Sequence, residues 1–164
     1  MSKTKAISLS IISLVIIGLI IFYVYFNRNP KRKIAAGDNF VAISDGIIQQ
    51  IQGNRIDVFI RLTDVHYQRT PCEGKIISIE NQDNYFDKIV LQSDYGNVIM
   101  ERRGGVLARS LVTNIKPGQI VEKGMEYGRI KLGSHSSITL PERANIIVKT
   151  GDELKAGETV IATV

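Results

Sequence analysis

The 164-residue sequence has a single cysteine, Cys72, and only two histidines, His66 and His135. One thiol excludes an internal disulfide framework and any cysteine-cluster metal site. Two histidines leave too few soft ligands for a zinc centre, so no metal is expected. Common catalytic signatures are also missing: there is no Walker-type phosphate loop, Gly-x-Gly-x-x-Gly, His-Glu-x-x-His or Gly-x-Ser-x-Gly. No lysine sits between two hydrophobic residues at a hairpin tip, which removes a biotin or lipoyl carrier. Nor does the body carry excess charge. The formal net charge is +5, but Lys3, Lys5, Arg28, Lys31, Arg32 and Lys33 put +6 on residues 1–33, which hold no acid. Residues 34–164 therefore sum to −1. A nearly neutral body lacks the electrostatic footprint of a phosphate-backbone binder, and nucleic acid is excluded as a partner.

What the chain does have is a 21-residue run without charge, Ala6 to Phe26. As a helix it would extend about 30 Å, the thickness of a bilayer's hydrocarbon core. Tyr23 and Tyr25 stand at its far end, where an aromatic ring with a polar tip suits the interface. A cleaved signal peptide would show a shorter apolar core and small residues at a cleavage site. Here Phe22-Tyr23-Val24-Tyr25-Phe26 leads into Asn27-Arg28 instead, which favours a retained anchor. Two lysines precede the run and four basic residues follow it, a bias that keeps the body on the cytoplasmic face of the cell membrane. The expected organisation is an anchor at 1–33 with basic flanks and one β-rich domain at 34–164.

From Ile34 onward no long stretch has helical apolar spacing. Short β-branched or alternating runs replace it: 55–62, 75–79, 88–92, 97–100, 107–115, 127–132, 137–140, 145–148 and 159–164. Turn formers separate them, and the polar stretch Glu80 to Asp87 reads as a short loop. A repeat is also visible. Lys116-Pro117-Gly118-Gln119-Ile120-Val121-Glu122-Lys123-Gly124 returns 33 residues later as Lys149-Thr150-Gly151-Asp152-Glu153-Leu154-Lys155-Ala156-Gly157. A glycine turn, an inward apolar residue and a second glycine turn resemble the hammerhead turns of barrel-sandwich hybrid domains. The fold class expected is mainly β, a barrel-sandwich-hybrid-like domain behind one transmembrane helix. Such a pattern speaks to fold and not to function.

Three segments carry the chemistry: Ser44-Asp45-Gly46, Asp64-Val65-His66-Tyr67-Gln68-Arg69-Thr70-Pro71-Cys72-Glu73-Gly74, and Lys131-Leu132-Gly133-Ser134. Gly105-Val106-Leu107-Ala108-Arg109 lies between the second and the third. Taken in this order, they resemble the phosphatidylserine decarboxylase family, and within it the short, single-anchor type. The similarity covers most of residues 26–164, beginning at Phe26-Asn27-Arg28-Asn29-Pro30.

The resemblance implies a pyruvoyl-dependent lyase that makes its own cofactor by breaking the chain at Gly133-Ser134. The Ser134 hydroxyl would attack the Gly133 carbonyl, and elimination from the resulting ester would release the Gly133 carboxylate and leave a dehydroalanine, which would take up water and lose ammonia to become a pyruvoyl group on the new end. A β chain of 1–133 and an α chain of 134–164 would stay woven into one fold. The pyruvoyl group would form a Schiff base with the amine of a serine phospholipid and act as electron sink while CO2 leaves. His66, with an ordinary pKa near neutrality, would handle protons, and Asp45 would orient it and support Ser134. Arg69 would meet a phosphate or the substrate carboxylate. The lipid partner can be diacyl or ether-linked, and a homo-oligomer is compatible with everything above.

Each residue alone has a plainer reading. Gly-Ser is an ordinary turn, Asp45-Gly46 a hairpin signal, His66 a polar residue at a strand end, and Cys72 a small buried side chain. His135 is given no role. Two other functions account for part of the pattern. A membrane-anchored, non-enzymatic adaptor explains the helix and the repeat without Ser134 and stays one chain. A tethered hydrolase keeps Ser134 intact and reactive.

Overall fold

The computed structural model describes residues 3–82, 85–104, 110–131 and 134–164, with backbone alone at 3–9, 82, 131 and 134. Lys3–Phe26 forms helix α1. Every large apolar side chain from Ile11 to Tyr25 is exposed, and burial begins only at Phe26. Over the described side chains, no helix is long and apolar enough to cross a membrane. Of the expected span, only its helical part is established.

Among the described residues the rest is β. The strands are β1 (Asn39–Val41), β2 (Gly46–Gln52), β3 (Arg55–Ile60), β4 (Tyr67–Arg69), β5 (Gly74–Gln82), β6 (Phe86–Ser93) and β7 (Gly96–Arg103). They continue as β8 (Ser110–Thr113), β9 (Ile120–Val121), β10 (Glu126–Lys131), β11 (Ser134–Thr139), β12 (Asn145–Ile146), β13 (Glu153–Leu154) and β14 (Val160–Thr163). Eight of them make one sheet in the order β13-β2-β3-β11-β7-β6-β5-β9, and two three-stranded sheets, β1-β14-β12 and β4-β10-β8, complete the body. All the pairings are antiparallel. Alternation decides which side of each strand is inside. In β6 it buries Asp87, Ile89, Leu91 and Ser93 and leaves Lys88 and Val90 partly exposed and Gln92 exposed.

The mainly β expectation holds, and all nine expected runs contain strand; 107–109 of one and 132 of another lie outside the described residues. Five strands were not anticipated: β1, β2, β4, β9 and β13. The expected loop at Glu80 to Asp87 is corrected. β5 runs on to Gln82 and β6 starts at Phe86, so most of the stretch is hairpin, with Gln82 opposite Phe86. Polarity misled because Asp87 faces inward, fully buried, and pairs with Arg102.

The repeat is a pair of matched corners. Gly118, Gly124, Gly151 and Gly157 all have φ between 76° and 93°, a region that side chains rarely adopt. Gly118 N–H donates to Ile76 O as Gly151 N–H does to Ile48 O, and Gly124 N–H donates to Thr70 O as Gly157 N–H does to Ala42 O. Between the glycines, β9 joins β5 and β13 joins β2, each sending one apolar residue inward, Val121 and Leu154. Ile34 sits over both second glycines, so a Cβ at Gly157 would come within 2.7 Å of it and one at Gly124 would be closer still.

Candidate active site

The small sheet β4-β10-β8 presents two rows of side chains to the interior. Cross-strand partners in an antiparallel sheet project to the same face. Gly128 is paired with both Thr113 and Gln68, and Ile130 with Leu111. The ladder continues one step beyond β4, where Ile130 N–H donates to His66 O at 3.0 Å. The first row is therefore Thr113, Gly128 and Gln68, and the second is Leu111, Ile130 and His66. Gly128 has no side chain because Val112 O and Arg102 Nη1 occupy the space a Cβ would need.

His66 is 2% exposed. Its Nδ1 lies 2.9 Å from Asp64 O. A carbonyl only accepts, so Nδ1 carries the proton and Nε2 of the neutral ring keeps a lone pair. That Nε2 is buried without a partner among the described residues. Burial pushes the imidazole pKa below its ordinary value; the Asp64 carbonyl and carboxylate oppose this, the Arg28 charge adds to it and Asp45 opposes it. Asp64 is held in place by Arg61, whose backbone N–H and guanidinium both donate to its carboxylate.

Asp45 does not hydrogen-bond to His66. Its carboxylate accepts two bonds from Arg32 Nη2, at 2.9 and 2.8 Å, and one from Ala156 N–H at 2.9 Å. The ion pair is nearly enclosed, with side-chain exposures of 7% and 12%. The expected carboxylate–imidazole contact is thus replaced by a clamp. Arg32 belongs to a strap from Phe26 to Ala35 laid along the body. Arg28 donates to Thr63 O, Asn29 to Glu126, the Lys33 N–H to Glu158 and the Ala35 N–H to Gly157 O. The expected boundary between residues 33 and 34 falls inside this strap.

Backbone pairing places Ser134. It opens β11 opposite Ile60 of β3, between β3 and β7. Ile60 forms one buried cluster with Leu111 and Ile130 of the second row, so the strand that begins at Ser134 lies against the sheet that carries His66. Two residues on, Ser136 Oγ is 2.6 Å from Ser44 Oγ, beside Asp45. The segments of Asp45, His66 and Ser134 thus converge on one region. Gly133 and the 105–109 element lie outside the described residues.

Arg69 lies beside the Asp45 segment: its backbone N–H donates to Ile43 O at 2.9 Å. It follows Gln68 on β4, donates to Gly124 O at 2.9 Å and to Asn29 at 3.3 Å, and packs at the corner near Gly157. His135 is exposed on the opposite face of β11 from Ser136, 5.3 Å ring to ring from Phe59. Cys72 is buried, which pushes its thiol up to about 12.

Three residues of this neighbourhood carry no conspicuous sequence signal: Phe26, Arg32 and Gln68. Phe26 and Arg32 read as the end and flank of a hydrophobic run. Gln68 stands two residues after His66, the spacing that puts two side chains on one face of a strand.

Comparison with known proteins agrees with this picture. The family model described as phosphatidylserine decarboxylase matches residues 81–162. A protein of Methanosarcina barkeri assigned as an archaetidylserine decarboxylase proenzyme is 31% identical, covering 93% of this chain and 82% of its own. One from Archaeoglobus fulgidus with the same assignment is 30% identical over 92% and 82%. A phosphatidylserine decarboxylase proenzyme of Rickettsia rickettsii is 31% identical over 85% and 73%. The chain belongs to the phosphatidylserine decarboxylase family. It is therefore a decarboxylase, a lyase of phospholipid biosynthesis whose relatives are named as proenzymes.

Proposed function

We propose that this chain removes CO2 from the serine headgroup of a phospholipid, diacyl or ether-linked, to leave the ethanolamine phospholipid, after splitting itself between Gly133 and Ser134. The observation that carries the reading is His66: a buried imidazole with its proton fixed on Nδ1 and Nε2 unpartnered among the described residues, in the row that meets Ile60 opposite Ser134. These residues fit a pyruvoyl group derived from Ser134, which would stand at the start of β11, opposite Ile60 and beside the row that carries His66. Such a group supplies an electron sink for the electrons left behind by CO2.

The chain's own residues do the rest. His66 Nε2, a base when the ring is neutral, takes a proton from the incoming ammonium and returns it to the carbon that loses CO2. The bond from Nδ1 to Asp64 O keeps the ring in the required tautomer. Asp45, neutralised by Arg32, fixes the 44–45 segment so that Ser44 meets Ser136 behind the cleavage point. The products of cleavage, 1–133 and 134–164, remain joined because β11 lies between β3 and β7. The paired glycine corners support a barrel-sandwich hybrid as the architecture. The uncharged run from Ala6 to Phe26, with exposed apolar side chains from Ile11 to Tyr25, supports α1 as an anchor that holds the domain at the membrane, on the cytoplasmic face by the charge of its flanks.

A denaturing gel with intact mass measurement tests the reading. The purified protein separates into a chain ending at Gly133 and a small chain with a blocked N-terminus, while Ser134→Ala stays a single 18.2 kDa species. A wild-type protein that stays whole, or a Ser134→Ala variant that still splits, overturns it.

A further inference from the structure

We propose that Gln68 is a substrate-binding residue whose side-chain amide grips the α-amino and carboxylate groups of the serine headgroup together. The inference rests on the serine-phospholipid reading given above. Gln68 is 0% exposed, and both Nε2 and Oε1 are buried with no partner among the described residues. Leaving a buried polar atom unpaired is destabilising, and here one amide does so twice. A methionine or leucine would fill the same space without that penalty. The amide has the wrong chemistry for a core position and the right chemistry for a polar ligand.

Its placement says which ligand. Gln68 lies in the row next to His66 on the same face of the small sheet, two residues or roughly 7 Å away along the strand. On its other side, across Gly128, Arg102, Asp87 and Thr113 are taken up with one another, and Tyr127 Oη, on the neighbouring residue of β10, is a further buried atom without a partner among the described residues. Arg102 pairs with Asp87, and both bond to Thr113. The unpartnered atom in the neighbouring row of the same face is His66 Nε2. An amide presents an acceptor and a donor next to each other. An α-amino acid presents an ammonium donor and a carboxylate acceptor on one carbon, and matches that pair. Oε1 accepts from the ammonium and Nε2 donates to the carboxylate, so the amine whose proton His66 handles is held one row from the imidazole. The ethanolamine product, lacking the carboxylate, keeps only half of the grip.

Two variants test this in the full chain. Gln68→Met keeps the volume and removes both polar atoms. It is expected to self-cleave, to melt at the wild-type temperature or above, and to lose about 10- to 100-fold in kcat/KM on short-chain phosphatidylserine. A purely structural amide predicts a lower melting temperature and no specific loss of turnover. Gln68→Glu keeps the acceptor and replaces the donor by a charge. Its KM for phosphatidylserine should rise at least tenfold, while inhibition by short-chain phosphatidylethanolamine stays within about twofold of wild type. Turnover in Gln68→Met within twofold of wild type overturns the inference, as does equal weakening of both lipids in Gln68→Glu. A variant that fails to self-cleave also overturns it, by placing the amide in the fold or the processing step instead. A wild-type protein that leaves every serine phospholipid unchanged overturns the parent reading, a result distinguishable from these because it does not involve the variants.

Discussion

The ring of Phe26, the last residue of α1, lies against the imidazole of His66, with centroids 4.3 Å apart and planes at 41°. Six residues further on, Arg32 neutralises Asp45. The segment leaving the helix thus supplies one wall of the His66 site and the counter-charge of the Asp45 clamp. Helix and domain are joined through the residues proposed for chemistry.

Two truncations separate anchoring from this second role. A chain starting at residue 25 keeps Phe26 and Arg32, and should decarboxylate short-chain serine phospholipid at close to the full-length rate. A chain starting at residue 34 loses both. Removing one partner of a buried pair costs about 3–5 kcal/mol, because the other charge is left without compensation. The shorter protein should melt lower and lose at least tenfold in turnover on the same soluble lipid. Equal activity in the two truncations would show that the strap is only a tether.

The pH dependence of stability follows from His66. Burial lowers its folded pKa, whereas the unfolded chain takes up the proton near the ordinary value of about 6.5. Below that value the unfolded state binds more protons, so acid favours unfolding. The His66 contribution is full above about pH 6.5 and is lost as pH falls through the lower folded value. His66→Phe removes the titration and keeps a ring for Phe26. Its melting temperature should fall less than that of the wild type between pH 7 and pH 5. Parallel decline of the two proteins would assign the acid sensitivity elsewhere. Decarboxylation should be absent in this variant at every pH.

How much of this was legible in the sequence depended on whether a signal was local. The glycine corners were legible because a positive φ at a fixed spacing leaves its mark as glycine. The long β-branched runs around Val58, Ile89 and Val98 were legible because alternation within one strand is enough to mark it. β4, β9 and β13 are two or three residues long, too short for any period to register, and they exist because neighbouring strands offer hydrogen bonds. Asp45 and His66 were identifiable as a motif, but their partners were not. Arg32 lies 13 residues before Asp45 and Phe26 lies 40 before His66. No pattern along the chain encodes that proximity. Asp87 was misread for a related reason: a carboxylate in a polar stretch looks solvated until Arg102 is seen beside it.

Cys72 offers a simple reporter. Its side chain is 2% exposed and its thiol is pushed up to about 12 by burial. The reactive species is the thiolate, so at pH 8 the folded protein should resist alkylation. Modification should track global unfolding in denaturant, with one adduct per chain. Rapid labelling in native buffer would contradict the burial of Pro71 and Cys72.

The buried pair Arg102–Asp87 gives the sharpest stability test. Both side chains are 0% exposed, and they join the large sheet to the small one. Arg102 also donates to Val112 O and Thr113 Oγ1 of β8, and its guanidinium lies 4.9 Å from the Tyr127 ring centroid of β10. Every polar group of the pair is occupied, so the penalty of burying charge is largely offset, and the contribution appears only when one partner is removed. Asp87→Leu leaves a buried cation and should destabilise by about 3–5 kcal/mol; Arg102→Met leaves a buried carboxylate and should do the same. Combining Asp87→Leu with Arg102→Met removes both charges and should restore much of that loss, since well-packed apolar replacements of a buried pair are often close to neutral. Urea denaturation of the four proteins measures the coupling. Additive losses in the double variant would mean that the two residues stabilise the sheets independently and that their pairing is incidental.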